Sequence, residues 1–339
     1  MSSKKKDCNF NGNRRDFLKA AGIGATALTL QGFTGSADAS TALSHKQEVL
    51  RHYKPSDITK IAMLGTGTPN PDPSCSGPCT AVIVRDTPYI VDFGPGLIRR
   101  AAALSPMYGK EVKIKGLLLN RIARAFLTHM HSDHTAGYPD LILTPWVMGR
   151  SEPLQVYGPE GINEMTEHLL KAYDADIKYR LFGYEPANDQ GYRVHSKEIF
   201  GDGLIYKDAN VEVEAFRVKH GNWPNAFGFR FTTPDKVIVI SGDTCPCENI
   251  KKYSEGADIL IHEVYSMEGF EKKDEYWKNY HKANHTSTHE LGELASKINP
   301  DLLVTYHTLF WGASEETVLD EIAEKYSGKT VVAADLDIF

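Results

Sequence analysis

The sequence predicts an α/β protein in which two β-sheets pack face to face and helices cover the outer surfaces, a four-layer αββα sandwich. Two observations predict it. The chain twice runs from a group of short strands into helices, so each half carries a sheet and the helices to cover one face of it. Its 339 residues, 41% hydrophobic and 24% charged, suffice for one large domain with a well-buried core. No internal repeat is visible, and no apolar run is long enough to span a bilayer.

The first strand is expected over residues 58–64, an apolar run stopped by Gly65-Thr66-Gly67-Thr68-Pro69. Residues 80–85 and 89–92 read as two further strands joined through Pro88, and Gly94-Pro95-Gly96 opens a helix ending at Leu104. Another strand covers 124–128. Ile162, Met165, Leu169, Leu170 and Tyr173 keep helical spacing within 160–175. In the second half Val211, Val213, Ala215 and Val218 partly alternate with polar residues, and strands over 226–232 and 236–241 follow. A strand over 258–261, a helix over 288–298, a strand over 302–306, a helix over 315–326 and a last strand over 330–333 complete the chain.

The first 39 residues differ in character. Lys4, Lys5 and Lys6 begin a basic stretch, Arg14-Arg15-Asp16-Phe17-Leu18-Lys19 continues it, a weakly apolar run covers 20–33, and Ala37-Asp38-Ala39 supplies small residues for cleavage. That order is the layout of a secretory signal, and the paired arginines resemble the twin-arginine signal that exports folded proteins. The expected organisation is a signal over 1–39, a polar linker over 40–56 and one large α/β domain over 57–339. The twin-arginine export machinery is then a partner and the periplasm, or secretion beyond it, the destination. The apolar run does not end in cysteine, so no lipid anchor is expected.

Residues 1–39 hold six Lys/Arg and three Asp/Glu, which leaves 32 basic and 41 acidic side chains beyond them, a net charge of −9. Such a chain has no general attraction for nucleic acid. Cys75, Cys79, Cys245 and Cys247 remain after Cys8 leaves, an even number for an oxidising compartment.

The chemistry concentrates in His129-Met130-His131-Ser132-Asp133-His134, between the strand over 124–128 and a helix expected near Thr135. On extended backbone His129 and His131 project to the same side, and the turn into the helix brings Asp133 and His134 round. Three imidazoles and a carboxylate in six residues suit Zn²⁺.

These residues resemble the H-x-H-x-D-H signature of the metallo-β-lactamase superfamily. Gly65 to Pro69 and Asp92-Phe93-Gly94-Pro95-Gly96 are similar to its opening loops, Val218-Lys219-His220 to its third metal motif, Ser241-Gly242-Asp243-Thr244 to the motif of the bridging carboxylate, and Tyr306-His307 to its last ligand. The resemblance implies the αββα fold and two metal ions, zinc, with Mn²⁺ or Fe²⁺ as substitutes. His129, His131 and His220 would hold one ion and Asp133, His134 and His307 the other, with Asp243 between them. Two cations about 3.5–4 Å apart can share and activate one water. Asp92 would hydrogen-bond a ligand histidine or cap the helix at Gly94.

Position 243 is Asp where β-lactamases use cysteine. The resemblance is closer to the branch containing RNase Z and its arylsulfatase-like and phosphodiesterase relatives, through Val156 to Gly161, Ile261-His262-Glu263 and Asn284-His285. It implies that His285 donates a proton or stabilises charge, beside a helix whose capping box is Ser287 to Glu290. Glu263 would orient His285, and His285, Asp133 and Glu263 form the catalytic set. His262, His281 and His289 read as surface residues. RNase Z enzymes commonly insert a tRNA-gripping arm between the third and fourth motifs, whereas only 22 residues separate His220 from Asp243. The implied substrate is therefore a small anionic ester, an aryl sulfate or a phosphodiester. An RNase Z-like nuclease, a lactone or carboxylic ester hydrolase, and a non-catalytic metal-binding protein are the alternatives, and a homodimer is compatible with each.

Aromatic walls are expected from Trp223, Phe310, Trp311, Tyr276, Trp277 and Tyr280. The charged segment 269–284 would form a mobile lid or rim. The resemblance also places the Cys75–Cys79 loop and the Cys245–Cys247 loop at one rim, which suggests a disulfide joining them.

Overall fold

The computed structural model describes residues 44–49 and 56–339. The paired arginines, the apolar run, the cleavage residues and most of the linker lie outside the described residues. A short helix, α1, spans 44–49.

Sheet A contains β1 (Thr59–Gly65), β2 (Cys79–Val84), β3 (Thr87–Val91), β4 (Arg124–Phe126), β5 (Leu154–Pro159) and β6 (Val194–Ile199), in that spatial order. Sheet B runs β13-β12-β11-β10-β9-β8-β7. Its strands are β7 (Gly203–Lys207), β8 (Glu212–Arg217), β9 (Phe227–Thr232), β10 (Val237–Ile240), β11 (Ile259–Tyr265), β12 (Leu302–Leu309) and β13 (Thr330–Val332). Each sheet opens with antiparallel strands and ends in parallel ones: β3 to β6 in sheet A, β10 to β13 in sheet B.

Period-two alternation assigns each strand's side chains to two layers. On β1, Ile61 and Met63 join the core shared by both sheets, whereas Ala62 and Leu64 face a second core. On β10, Ile238 and Ile240 join the shared core and Val239 faces away. Because both faces are buried, these strands read as continuous apolar runs. Helices α2 (Leu97–Leu104), α4 (Tyr138–Val147) and α5 (Ile162–Ala172) pack on the outer side of sheet A, and α7 (Glu248–Ser254), α10 (Thr288–Ile298) and α11 (Glu315–Ala323) on that of sheet B. The predicted αββα sandwich is observed.

Several elements differ from expectation. Pro88 lies inside β3, opposite Ile83, and the turn falls at Arg85, whose φ is 57°. Asp133 and His134 sit within a helix, α3 (Ser132–Thr135), three residues before the expected start. The elements not expected from the sequence include β5, α6 (Asp174–Phe182), β6, β7 and α7. Segment 269–284 forms α8 (Met267–Glu271) and α9 (Glu275–Asn284).

Arg150 secures the approach to β4. It is fully buried and donates to the carbonyls of Ile122, Leu141, Ile142 and Gly191 at 2.7–3.2 Å. Pro145 lies inside α4 and has no N–H, which removes the helical donor for the Leu141 carbonyl. The guanidinium supplies that donor, and burial pulls its pKa down to about 10. Arg150→Met leaves buried carbonyls unsatisfied and should cost about 3–5 kcal/mol in denaturant unfolding. Adding Pro145→Ala returns a donor to Leu141 and should recover part of that loss.

Candidate metal centre

The site lies where the C-terminal ends of the parallel strands of both sheets meet. Asp92 follows β3, His129 follows β4, Asp243 follows β10, and Glu263 and His307 lie on β11 and β12. The two sheets are joined there by the backbone, since the N–H of Phe227 on β9 donates to the Thr128 carbonyl at 2.9 Å. Gly242 has φ +62°, and a Cβ on it would fall 2.7 Å from the Phe227 oxygen and 2.9 Å from the Thr128 Cβ. Only glycine fits that turn. Asp92 and His307 adopt positive φ, 64° and 46°, and a β-bulge interrupts the β11–β12 register beside Glu263.

Two groups of donor atoms form, each with its atoms within 4.8 Å of one another: His129, His131, His220 and Asp243 in one, and Asp133, His134 and His307 in the other. His131 Nδ1 lies 2.9 Å from His129 Nε2 and 3.1 Å from His220 Nε2. His307 Nε2 is 3.2 Å and His134 Nε2 3.5 Å from Asp133 Oδ2. Asp243 faces both groups. Its Oδ2 is 3.8 Å from His129, 3.9 Å from His220 and 3.8 Å from His307, and its Oδ1 is 3.5 Å from His134. Ligands bound tetrahedrally at zinc's usual bond lengths lie about 3.3 Å apart. The observed separations, and the lack of hydrogen-bond partners for the buried His134 Nε2 and Asp243 Oδ1, fit donors facing divalent cations.

Outward hydrogen bonds fix the rings. His134 Nδ1 donates to Asp92 at 2.9 Å. His129 Nδ1 donates to the Thr128 hydroxyl at 3.0 Å, and that hydroxyl donates to Asp92. His220 Nδ1 donates to the Asn284 carbonyl at 2.8 Å. Each bond leaves Nε2 free to face a cation. Asp92 thus anchors one ligand of each group, and the helix-cap role is excluded because Gly96 caps α2.

Charge is distributed unevenly. Burial holds His129 and His131 below the usual histidine range. Burial also opposes a charge on His134, but Asp243 and Asp92 outweigh it and raise its pKa. Burial opposes the charge on Asp243 too, and His307 and His134 outweigh it and hold the carboxylate well below its usual range. Cation binding therefore displaces protons from this cluster.

His285 stands beside the donor groups. Its Nδ1 is hydrogen-bonded to Glu263 Oε2 at 3.3 Å, while Glu263 Oε1 accepts the backbone N–H groups of Thr244 and Thr286. Burial lowers His285 to about 4 and pushes Glu263 well above the carboxylate range. The Ser287–Glu290 capping box starts α10 two residues after His285.

Other expectations need correction. His262 is buried on β11, and His281 is buried against Trp311 with ring centroids 4.3 Å apart. His281 lines the site's cavity; its spacing of four from both Trp277 and His285 was the available signal. Phe310 packs into the core under α10 and α11 rather than walling the site. Cys79 lies on buried β2, and Cys75, Cys79, Cys245 and Cys247 are all unpaired, so the expected disulfide is not formed.

The layered fold and its paired donor groups define a metallo-hydrolase fold. Residues 87–308 match the family described as Beta-lactamase superfamily domain, and the chain belongs to the metallo-β-lactamase superfamily. Ribonuclease Z of Mycolicibacterium gilvum is 30% identical over 253 residues, covering 74% of this chain and 84% of that protein. Ribonuclease Z of Mycobacterium bovis BCG is 29% identical over 285 residues, covering 82% and 97%. Among solved structures, the metallo-β-lactamase fold protein YhfI of Bacillus subtilis aligns with a TM-score of 0.63 at 17% identity, over 84% of this chain and all of that one. The short form of human tRNase Z aligns with a TM-score of 0.59 at 20% identity, over 83% and 98%.

Asp92→Asn keeps a residue that tolerates positive φ but weakens the anchor of both donor groups. Zinc affinity, measured against competing chelators, should fall about 10–100-fold.

Proposed function

We propose that this chain is a metal-dependent hydrolase of small anionic esters, phosphodiesters or aryl sulfates. The observation that carries this reading is the convergence of both donor groups on Asp243 beside the buried His285–Glu263 pair. Two divalent cations, Zn²⁺ by the nature of the donors, would supply Lewis-acid stabilisation and activate a water. In the reaction the water oxygen forms the new bond to phosphorus or sulfur, the bond to the leaving oxygen breaks, and one water proton ends on the leaving alcohol.

The chain's own groups manage that proton. Burial favours an uncharged pair, with the proton on Glu263 and His285 neutral. An anionic ester arriving beside His285 favours the imidazolium, so a proton passes from Glu263 through His285 to the leaving oxygen, and the proton released by the attacking water restores Glu263. The backbone N–H groups of Thr244 and Thr286 then support the Glu263 carboxylate.

The identity to ribonuclease Z favours the phosphodiester branch of this reading. Against tRNA as substrate, residues 221–242 hold only a loop, β9 and β10, and the whole chain carries a net charge of −6. Metal-loaded protein should hydrolyse bis(p-nitrophenyl) phosphate or an aryl sulfate and lose that activity with chelator. Turnover of a lactone alone, or of none of the three, would overturn the proposal. His285→Ala should lower kcat about 100-fold or more while metal content stays near two per chain; loss of metal would contradict its role.

Export by the twin-arginine route to the periplasm belongs to the same proposal, supported by Arg14-Arg15 and the run that follows. Replacing both arginines with lysine should leave the protein in the cytoplasmic fraction at full length. Unchanged periplasmic accumulation would refute the route.

A further inference from the structure

The donor cluster does not sit at the floor of a single cleft. A cavity of about 480 Å³ contains Asp133, Asp243, His285 and His307. A second, of about 950 Å³, meets it at His131, His220 and Tyr280, which line both. Helix α9 divides them. Tyr276, Asn279, Tyr280 and Ala283 follow helical spacing and face the larger cavity, whereas Trp277 and His281 face the smaller. Tyr280 forms the ridge.

The larger cavity has a distinct chemistry. Trp223 stands across it from α9 and packs edge-on to His131, with ring centroids 4.5 Å apart. Gly221, at φ +55°, makes this possible, because a Cβ there would fall 2.3 Å from Asn284 Oδ1. Apart from its two histidines, the charged side chains lining the cavity are Lys219 and Glu160, which cancel. The other polar groups are uncharged, among them side-chain amides, the Tyr276 and Tyr280 hydroxyls and the Cys245 thiol. Such a space suits a planar, uncharged ring that offers hydrogen-bonding edges, and it does not suit a further phosphate of a polyanion.

Resting on the hydrolase reading above, we infer that the larger cavity binds the non-leaving arm of a diester, an aromatic or nucleoside-like unit lodged between Trp223 and Tyr276. The leaving arm occupies the smaller cavity, where His285 stands. A monoester has one organic arm and fills only one of the two spaces. A phosphodiester with two unequal arms fills both, so the cavity pair selects phosphodiesters over aryl sulfates.

Two substrates with one leaving group test this. Bis(p-nitrophenyl) phosphate places a ring in the larger cavity, and methyl p-nitrophenyl phosphate places only a methyl group there. The wild-type ratio of their kcat/KM values, divided by the ratio of their uncatalysed hydrolysis rates, should favour the bis-aryl ester by about tenfold or more, the scale of one aromatic stack. Tyr276 is largely exposed, and Tyr276→Ala should collapse that ratio about tenfold. An unchanged ratio overturns the inference while leaving the hydrolase reading intact. Binding to chelator-treated protein provides an independent readout by calorimetry. Diphenyl phosphate should bind more tightly than methyl phenyl phosphate, which carries one ring fewer, and Tyr276→Ala should narrow the difference. If this preference appears but neither diester is hydrolysed by metal-loaded protein, the subsite stands and the hydrolase reading falls. Equal binding of the two diesters overturns the subsite.

Discussion

The site depends above all on one buried carboxylate. Asp243 lies 3.5–3.9 Å from imidazoles delivered by both sheets, and no other side chain faces so many of the donors. Burial alone would protonate it, but the surrounding histidines keep it charged. The arrangement exists only when the sheets are packed, because His129 and His134 come from sheet A and His220 and His307 from sheet B. The aromatic layer between the sheets sets their relative position. Phe126, two residues before Thr128, meets Phe231 edge-on with centroids 5.5 Å apart and Phe229 at 5.8 Å. Folding and site assembly are therefore one event, and a cation held by both donor groups would stabilise the whole sandwich.

Much of this was legible in the sequence, for reasons that differ by residue. His129 to His134 are local, so their spacing alone signals a metal site. His220, Asp243 and His307 are far apart in sequence and were assigned through the resemblance of their flanking residues to the superfamily's motifs. The layered fold followed from two successions of short strands, each running into helices. What escaped had weaker local signals. Strand β6 alternates half-buried with exposed positions at the sheet edge, so Lys197 and Glu198 hide it. Pro88 looked like a turn residue, yet it tolerates a place inside β3 because the register there does not require its N–H. His281 is polar on a highly charged helix, and only the tertiary packing of Trp311 shows that it is buried. The role of Arg150 needs carbonyls from two distant loops, those of Ile122 and Gly191, and two from α4, one of them freed by Pro145, which no local pattern reveals.

Helix α9 shows how a common scaffold becomes particular. The donor groups and their anchors rest on the two sheets, while α9 carries no donor atom of either group. Its aromatic side chains instead shape the space around the centre, and its last residue, Asn284, holds the His220 ring through a backbone carbonyl. Specificity and ligand orientation therefore meet in one element. A change in a charged residue on its outer face, such as the exposed Glu275, leaves both functions in place. A change in its helical phase would alter both at once.

The strained positions sharpen the same point. Asp92, Gly242 and His307 all adopt positive φ, and all lie within the donor cluster or its anchors. For Asp92 and His307 such a conformation costs on the order of 1–3 kcal/mol each and persists only where surrounding contacts over-determine it. Here they do. The Asp92 N–H donates to the Phe126 carbonyl, its carboxylate accepts from Thr128 and His134, and the His307 N–H donates to Thr66. Relaxing either backbone would swing a carboxylate or an imidazole out of the cluster. The four-layer packing beneath supplies the stability that lets the rim hold these geometries, which is why the cluster sits on strand ends rather than on freer loops.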